Sequence, residues 1–305
     1  MPILAAFIPG LAVLVGFVPI WLMIQYRDRK ARSDKLHSPL TQDMLRPPGH
    51  SLLNQVREIE SEINSWLAVS IANPLLCLAL YTGISGADSS FGFVVDVAIV
   101  GSIFFVACAV IVRKLSKQLD LLRKFKLGFE GEQFTGQELD QLMLDGCRVF
   151  HDVEFEYGNI DHIVVSAAGV FSINTKTLRK KTDAKTASAI VDPSKNEIRF
   201  PHRTYEIPIE RLRGEAKWLA SHLSRATGDK VVVQPMLALP GWFIERPNGD
   251  AAVRVFNPRN AQAIFHPQRE TLSKESIQRI AHQLEQRCRN VPRSQRIDNS
   301  WKTKD

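Results

Sequence analysis

The chain has 305 residues, 45% of them hydrophobic, and carries a formal net charge of +7 at pH 7. The length suggests about two domains, and the positive charge suits nucleic acid or anionic lipid as a partner. The four cysteines lie far apart and form no Cys-x-x-Cys pair, so they indicate neither a disulfide framework nor a zinc site. A Walker-type phosphate loop and a Gly-x-Ser-x-Gly motif are also absent from the sequence.

Hydrophobic residues are concentrated near the N-terminus. No charged residue occurs from Met1 to Tyr26 or from Trp66 to Ala87, and the run from Phe91 to Val112 contains only Asp96. Runs of this length can cross the hydrocarbon core of a membrane as helices. The sequence therefore predicts a membrane region at residues 1–112 with three transmembrane helices, at about residues 3–25, 66–87 and 91–112.

The first apolar run has an alternative interpretation as a cleaved signal peptide. It has no basic residue before its apolar stretch and no obvious small-residue cleavage site, so a membrane helix is favoured. Asp96 is costly in hydrocarbon, and we expect it near the outer end of its span, where it reaches water, in preference to a role in an ion pathway.

The distribution of Lys and Arg predicts the orientation. Basic residues follow the first and third apolar runs, whereas the connection between the second and third contains none. Because cytoplasmic flanks of membrane helices are enriched in Lys and Arg, we expect a multi-pass protein of the cell (inner) membrane with its N-terminus outside. The loop at residues 27–65, with a short helix from Leu52 to Ile63, and the whole C-terminal region are then cytoplasmic.

The part that follows the apolar runs predicts a linker and a mixed α/β domain. Residues 113–127 have apolar side chains at helical spacing among basic ones, which indicates a basic amphipathic linker helix, either a plain stalk or a surface for anionic headgroups. A domain at residues 128–245 precedes a C-terminal strand, helix and basic tail at residues 246–305. The predicted elements are a helix from Glu130 to Asp145, strands at Arg148–Phe155, Gly158–Ser166 and Gly169–Thr177, a hairpin of Ala189–Val191 with Glu197–Phe200, a helix from Pro208 to about Arg225, strands at Lys230–Leu239 and Ala252–Phe256, and a helix from about Ser273 to Arg287.

Two of the predicted strands carry polar residues that point to chemistry. Asp161 stands inside an apolar strand, where a carboxylate needs a partner such as a metal ion or a hydrogen-bond donor. On the next strand, period-two geometry places Asn174 and Lys176 on one side. His162 alternates to the face opposite Asp161, and a structural role is favoured for His151 over a role as ligand or base.

A family resemblance rests on these strands. Gly131-Glu132, the run Gly-Asn-Ile-Asp-His-Ile and the run Gly-Val-Phe-x-Ile-x-x-Lys-Thr resemble the nuclease-related domain family, NERD, over roughly residues 128–245. Its fold is similar to that of the PD-(D/E)XK restriction-endonuclease superfamily. The resemblance implies an α/β fold with a restriction-endonuclease-like core of helix, three strands, helix and strand. It also implies a Mg²⁺ or Mn²⁺ cofactor held by Asp161 and Glu132, with Lys176 positioning the attacking water.

One position departs from the family pattern. Asn174 stands where a Glu is usual, and its neutral carbonyl is a weaker ligand for a hard cation than a carboxylate. We expect Asn174 to complete the metal shell, with Glu132 compensating from the helix. Arg211 occupies a position, three residues after a proline, at which related domains often have Gln.

Basic residues near the motif strands are candidates for nucleic-acid binding. Arg has a fork of donors that suits phosphate, and the basic run lies where the second motif strand ends. A solvated helix surface and a solvated loop are the alternatives. The candidates are Arg179, Lys180, Lys181 and Arg211.

Three functions remain open from the sequence. The first is a membrane-anchored, cytoplasmic nuclease-like protein that hydrolyses phosphodiester bonds in DNA or RNA with a divalent metal ion. The second is a catalytically weak or inactive module that binds nucleic acid or protein at the membrane, because Asn174 weakens the metal site. The third is a membrane scaffold whose spans assemble with other proteins.

Overall fold

The computed structural model describes residues 42–85, 92–156, 158–180, 188–245, 253–265 and 270–291, together with Pro19, Leu22, Met23 and Tyr26. The chain divides into two compact units. Among the described residues, the helical unit includes those of Val56–Arg123, and the mixed unit comprises those of Leu40–Gln55 and Lys124–Arg293. The segment just before Val56 therefore belongs to the same unit as strands that lie far along the sequence.

Two long helices begin or end in the mixed unit, at His50–Gln55 and Lys124–Asp140, and their other parts belong to the helical unit. Helix α1 spans His50–Ser85 and helix α2 spans Phe93–Asp140. Both are long and apolar enough to cross a membrane, and apolar side chains such as Ile71 and Phe105 are largely exposed. The first predicted span lies outside the described residues apart from three helical positions. The described part of the chain thus holds two candidate membrane helices in place of the three predicted.

The structure joins elements that the sequence pattern separated. The short helix predicted from Leu52 to Ile63 is the first part of α1, and residues 113–127 form the middle of α2. Residues 113–127 consist largely of good helix formers, so nothing interrupts the helix there. The glycines that follow them within α2 each cost only about 1 kcal/mol in a helix interior.

Polar side chains are buried within the apolar part of the helical unit. Asp96 is only 1% exposed, so the expectation that it reaches water is wrong. It lies in the first turn of α2, where the positive end of the helix dipole is favourable to a carboxylate. Asn73 is buried as well, and its amide donates to the Sγ atom of Cys108 at 3.5 Å.

The described residues of the mixed unit form two sheets, a short strand pair and three further α-helices. The labels follow chain order. They are β1 (Met44–Leu45), β2 (Arg148–Phe155), β3 (Gly158–Ser166), β4 (Gly169–Thr175), β5 (Ser188–Asp192), β6 (Glu197–Phe200), β7 (Arg203–Glu206), α3 (Ile209–Thr227), β8 (Val233–Ala238), β9 (Phe243–Glu245), β10 (Arg254–Phe256), α4 (Ala261–Phe265), α5 (Lys274–Cys288) and β11 (Arg289–Val291).

A five-stranded mixed sheet forms the centre of this unit, in the order β10-β8-β4-β3-β2. Strands β2, β3 and β4 run antiparallel as consecutive neighbours, whereas β8 is parallel to both β4 and β10. The chain thus follows the predicted order of helix, three strands, helix and strand. Strands β5, β6 and β7 of a second sheet are inserted before α3, and the fourth strand of that sheet, β9, follows β8. The likeness of this arrangement to a restriction endonuclease stays a prediction.

The second sheet has the order β7-β6-β5-β9. The predicted hairpin is present, because β5 pairs with β6 in antiparallel register and Asn196 in the turn adopts a φ of 55°. Asn tolerates this left-handed conformation better than most residues. Strands β7 and β9 were not predicted, since each has only three or four residues and lacks a clear alternating pattern.

Alternation along β3 places apolar side chains on both faces of the central sheet. Ile163 and Val165 pack with Leu219 of α3 and Leu284 of α5. Val164 belongs to a separate cluster on the other face, with residues of β4, β8, β10 and α4. Because successive strand residues point to opposite faces, one strand contributes to two cores.

The segment before α1 is tied into the mixed unit by a buried ion pair. β1 pairs with β11, and the Arg46 guanidinium contacts the Asp152 carboxylate at 2.9 Å. The backbone N–H and hydroxyl of Ser51 donate to the same carboxylate at 3.2 and 2.7 Å, and the Asn159 amide donates at 2.7 Å. Asp152 is fully buried, so its charge depends on these partners.

Replacing Arg46 with Ala should lower the free energy of unfolding by about 3 kcal/mol, because it leaves a buried carboxylate without its counter-charge. Thermal unfolding of the full-length protein in detergent measures this. Arg279→Ala is the control, since Arg279 pairs with Asp229 at an exposed position and should cost less than about 1 kcal/mol. Equal effects of the two substitutions would contradict the structural role given to Arg46.

Candidate functional site

Polar side chains from four elements of the mixed unit are directed towards one region at the central sheet. Glu132 comes from α2, Asp161 from β3, Asn174 from β4 and Glu215 from α3. The antiparallel pairing of His162 with Ile173 places Asp161 and Asn174 at the next opposed positions of β3 and β4. Three of these four residues were predicted, and Glu215 was not.

Asp161 is the least buried member of the group, although most of its surface is covered. Its Oδ2 atom accepts a hydrogen bond from the backbone N–H of Thr175 at 2.7 Å. Burial raises the pKa of Asp161 to about 7, and the negative charges of Glu215 and Asp152 act in the same direction. The Thr175 hydrogen bond and the positive charge of Arg211 oppose that rise. Asp161 therefore titrates close to neutral pH when no cation is bound.

Glu132 is almost fully buried, at 7% exposure, and its Oε2 atom has no hydrogen-bond partner among the described residues. Burial, followed by the charges of Asp161 and Asp152, raises the pKa of Glu132 to about 9. The neighbouring Gly131 lies against the chain that leaves β4, because a Cβ atom there would meet the Thr177 side chain at 1.6 Å. Gly131 thus lets α2 lie close to the chain that follows β4, and Glu132 places a buried carboxylate beside it.

Glu215 is a third buried carboxylate, at 4% exposure. Arg211, one turn earlier on α3, places its Nε atom 3.5 Å from Oε1, but Oε2 has no partner among the described residues. Burial raises the pKa of Glu215 and outweighs the opposing effects of Arg211 and Asn174. A signal in the sequence marks this residue, because position 215 lies on the apolar stripe of α3 that includes Leu212 and Leu219.

Asn174 connects Glu215 with the strand that carries it. Its side-chain amide donates a hydrogen bond to the Glu215 carboxylate, while its own Oδ1 atom is buried without a partner among the described residues. A buried oxygen of this kind costs about 1–3 kcal/mol when nothing donates to it. Asn174 therefore holds a carboxylate in position and presents an unused oxygen at the same time.

The donor set of this region suits a hard divalent cation. The side chains offer oxygen atoms only, and three of those atoms are buried without hydrogen-bond partners, as Mg²⁺ ligands would be before the ion binds. Within the described ranges, no three His, Cys, Asp or Glu side chains form a preformed metal cage. Mg²⁺ needs no such cage, since it commonly binds through one or two carboxylates and keeps several waters.

Lys176 lies just beyond the end of β4. Its ammonium group is 5.0 Å from the centre of the Tyr205 ring, and its backbone N–H donates to the carbonyl of Ala238. Burial lowers the pKa of Lys176, and the charges of Arg203 and Arg211 lower it further. Lys176 is thus a half-buried cation in an electropositive neighbourhood.

The predicted nucleic-acid-binding residues differ in their surroundings. Arg211 and Arg179 are exposed, and the Lys180 ammonium lies 5.2 Å from the centre of the Trp242 ring. Lys181 lies outside the described residues. Arg211 contributes positive charge near both Asp161 and Lys176, so among these residues it has the firmest connection to the site.

The two histidines form a buried polar chain of their own. His151 Nδ1 and His162 Nδ1 are 2.9 Å apart, His151 Nε2 is 3.0 Å from Asp140, and His162 Nε2 is 3.2 Å from the hydroxyl of Thr175. Burial lowers the pKa of His162 well below its usual value, so this ring is neutral at neutral pH. These contacts fit the structural role expected of the pair.

In the metal-free protein, Glu132→Gln should increase stability at high pH. The folded pKa of Glu132 lies above its value of 4.5 in the unfolded chain, so the protonated carboxyl stabilises the fold fully below pH 4.5. This contribution is lost as the pH rises towards 9. The free energy of unfolding of the variant should be similar to that of the parent near pH 4.5 and higher by about 2 kcal/mol near pH 9.

Thermal unfolding in the presence of a chelator, from pH 5 to pH 9, measures this difference. Glu130→Gln is the matched control, because Glu130 lies two positions away on the same helix and is exposed. A Glu132→Gln variant that is less stable than the parent at pH 9 would show that the carboxylate has a partner in solution.

Comparison with known proteins identifies part of the chain. Residues 127–240 match the nuclease-related domain family, NERD, and this range contains all four polar residues of the site. No curated protein and no solved structure matches the chain. The chain thus contains a nuclease-related domain.

Proposed function

We propose that the nuclease-related domain hydrolyses phosphodiester bonds in DNA or RNA with a bound Mg²⁺ or Mn²⁺ ion. The observation that carries the proposal is the set of buried, unpartnered oxygen atoms of Glu132, Asn174 and Glu215 beside Asp161. Buried carboxylates without counter-charge are destabilising unless a cation or a proton meets them. The family match supports a nuclease-related function for the same residues.

The residues of the site divide the chemistry between them. Asp161 and Glu132 would hold the cation, and Asn174 would add its free Oδ1 atom. Held by these residues, a divalent cation would supply Lewis-acid polarisation of the phosphate and would make water a better nucleophile. Lys176, whose ammonium lies 5.0 Å from the centre of the Tyr205 ring, would orient the nucleophilic water or stabilise negative charge on the phosphate. Arg211 attracts the phosphate backbone from the exposed surface of α3.

A catalytically weak module that binds nucleic acid or protein is the alternative. It is favoured by one observation, because the described residues form no cage of three acidic ligands and Asn174 contributes no charge. In that case the exposed Arg211 and Arg179 would bind a polyanion without cleavage. Binding that weakens steeply with salt, together with a lack of cleavage at any Mg²⁺ or Mn²⁺ concentration, would favour this function.

Asp161→Ala should abolish metal-dependent cleavage while the domain stays folded, because removing one of several neighbouring carboxylates relieves repulsion in the metal-free state. Lys176→Ala should lower the rate by about 100-fold or more with a smaller effect on metal affinity. The measurement uses the full-length protein in detergent with single- and double-stranded DNA and RNA. Asp229→Ala, at an exposed position outside the site, is the control.

Cleavage that persists in Asp161→Ala, or that survives complete removal of divalent ions by a chelator, would overturn the proposed hydrolysis. Cleavage by the parent protein that is lost in Asp229→Ala would indicate a contaminating nuclease or a folding defect, and would remove support from the proposal as well.

We further propose that the two apolar helices anchor the domain in the cell membrane with the domain in the cytoplasm. The helices supply the necessary length and apolar surface, and the Lys and Arg distribution supplies the orientation. A reporter enzyme that works only in the cytoplasm should be active when it is fused to the C-terminus. Activity of a reporter that functions solely outside the cytoplasm would contradict this orientation.

A further inference from the structure

We propose that Glu215 is a carboxylate ligand of the divalent cation and supplies the charge that position 174 lacks, with Asn174 as the residue that positions it. This inference rests on the proposed metal-dependent function and assigns a residue that neither the motif nor the family match identifies. The metal would thus be held from β3 and α3, by Asp161 and Glu215, in addition to the oxygen atoms already assigned.

The burial of Glu215 has no adequate structural explanation. The residue lies on the apolar stripe of α3, between Leu212 and Leu219, where an apolar side chain would pack without a desolvation cost. Its ion pair with Arg211 is long, at 3.5 Å, and the Arg211 side chain is 64% exposed. An exposed guanidinium contributes about 1 kcal/mol or less, which does not offset a buried carboxylate.

The environment of Glu215 instead provides several of the oxygen ligands that a metal-ion site requires. Asn174 donates its amide to the carboxylate, which fixes the side chain and leaves both Glu215 Oε2 and Asn174 Oδ1 without partners among the described residues. Asp161 stands opposite Asn174 in the strand register, and its charge interacts with that of Glu215. Two carboxylates and a neutral oxygen are ligands that Mg²⁺ accepts readily.

This arrangement explains how the site tolerates Asn at position 174. A Glu at position 174 would present its carboxylate from β4, whereas here the charge comes from α3 and the strand contributes the hydrogen bond that orients it. The charge should therefore be able to come from either position. A carboxylate introduced at position 174 should replace the carboxylate that is removed at position 215.

The test measures Mn²⁺ binding to the full-length protein in detergent, by the electron paramagnetic resonance signal of the free ion, alongside cleavage of DNA and RNA. Glu215→Gln should weaken Mn²⁺ binding by at least about tenfold, and Asn174→Glu in that background should restore affinity to within about threefold of the parent. Glu210→Gln is the matched control, because Glu210 lies on the same helix and is exposed, and it should leave affinity unchanged.

Thermal stability supplies a second readout, because replacing Glu215 has a different effect on stability if the residue is structural than if it is a metal ligand. In the presence of a chelator, Glu215→Gln should be at least as stable as the parent, because the substitution removes an uncompensated charge and keeps the shape. Added Mn²⁺ should raise the midpoint of thermal unfolding in the parent and in Asn174→Glu/Glu215→Gln, but much less in Glu215→Gln.

The outcomes separate this inference from the proposed function. Mn²⁺ binding that depends on Glu215 without any cleavage of nucleic acid supports the inference and overturns the hydrolysis. A different outcome is that cleavage requires Asp161, while Glu215→Gln leaves both the cleavage and the Mn²⁺ affinity unchanged. That result supports the hydrolysis and overturns the inference. Failure of Glu215→Gln to fold without metal, failure of Asn174→Glu to restore affinity, or absence of Mn²⁺ binding by the parent overturns the inference as well.

Discussion

Buried carboxylates need positive charge, and the mixed unit supplies that charge to one of its acidic residues far more completely than to the others. Asp152 has Arg46, two donors from Ser51 and the amide of Asn159. Glu132 and Glu215 are as well shielded from water, yet each has an oxygen atom without a partner among the described residues. A fold that satisfies one carboxylate so fully gains nothing structural from leaving its neighbours unsatisfied. The difference is the physical basis for assigning the unsatisfied group to function.

The position of Arg46 makes the segment before α1 part of this electrostatic arrangement. Asp152 acts on the pKa of both Glu132 and Asp161, so a change in its counter-charge reaches the site through Coulombic interaction. Pro48 in the same segment lies against α2 at Gly136, where a Cβ atom would be 2.4 Å from the proline ring. The nuclease-related domain therefore depends on residues outside the range that matches its family.

The local patterns of the sequence predicted most of the central sheet and the positions of Asp161, Asn174 and Lys176. Period two fixes strand faces, and glycines mark the turn between β3 and β4, so both features can be derived from neighbouring residues. The ion pair of Arg46 with Asp152 joins residues 106 positions apart, and no local pattern encodes such a contact. Strand β1 has two residues, which is too short for any alternating pattern.

Glu215 was missed for a different reason. Helix α3 is strongly amphipathic and has the composition of an ordinary surface helix, in which an acidic residue attracts no notice. A charge on an apolar stripe was the available signal, and it has meaning only once the stripe is known to face the sheet. Asp96 shows the converse. Its burial is a feature of the folded chain that no local pattern shows, so the expectation from membrane energetics alone placed it in water.

The pairing of β1 with β11 has a consequence for biosynthesis. Arg46 donates to the side chain of Asn290, which is 244 residues later in the chain. At a synthesis rate of about 5–20 residues per second, the ribosome needs on the order of 10–50 s between these two residues. During this interval the Arg46 segment is already made, but its strand partner is not. The contacts of β1 therefore form only after the residues between Arg46 and β11 have been made, and a chain truncated before β11 leaves the edge of β1 unpaired for capture by chaperones or proteases.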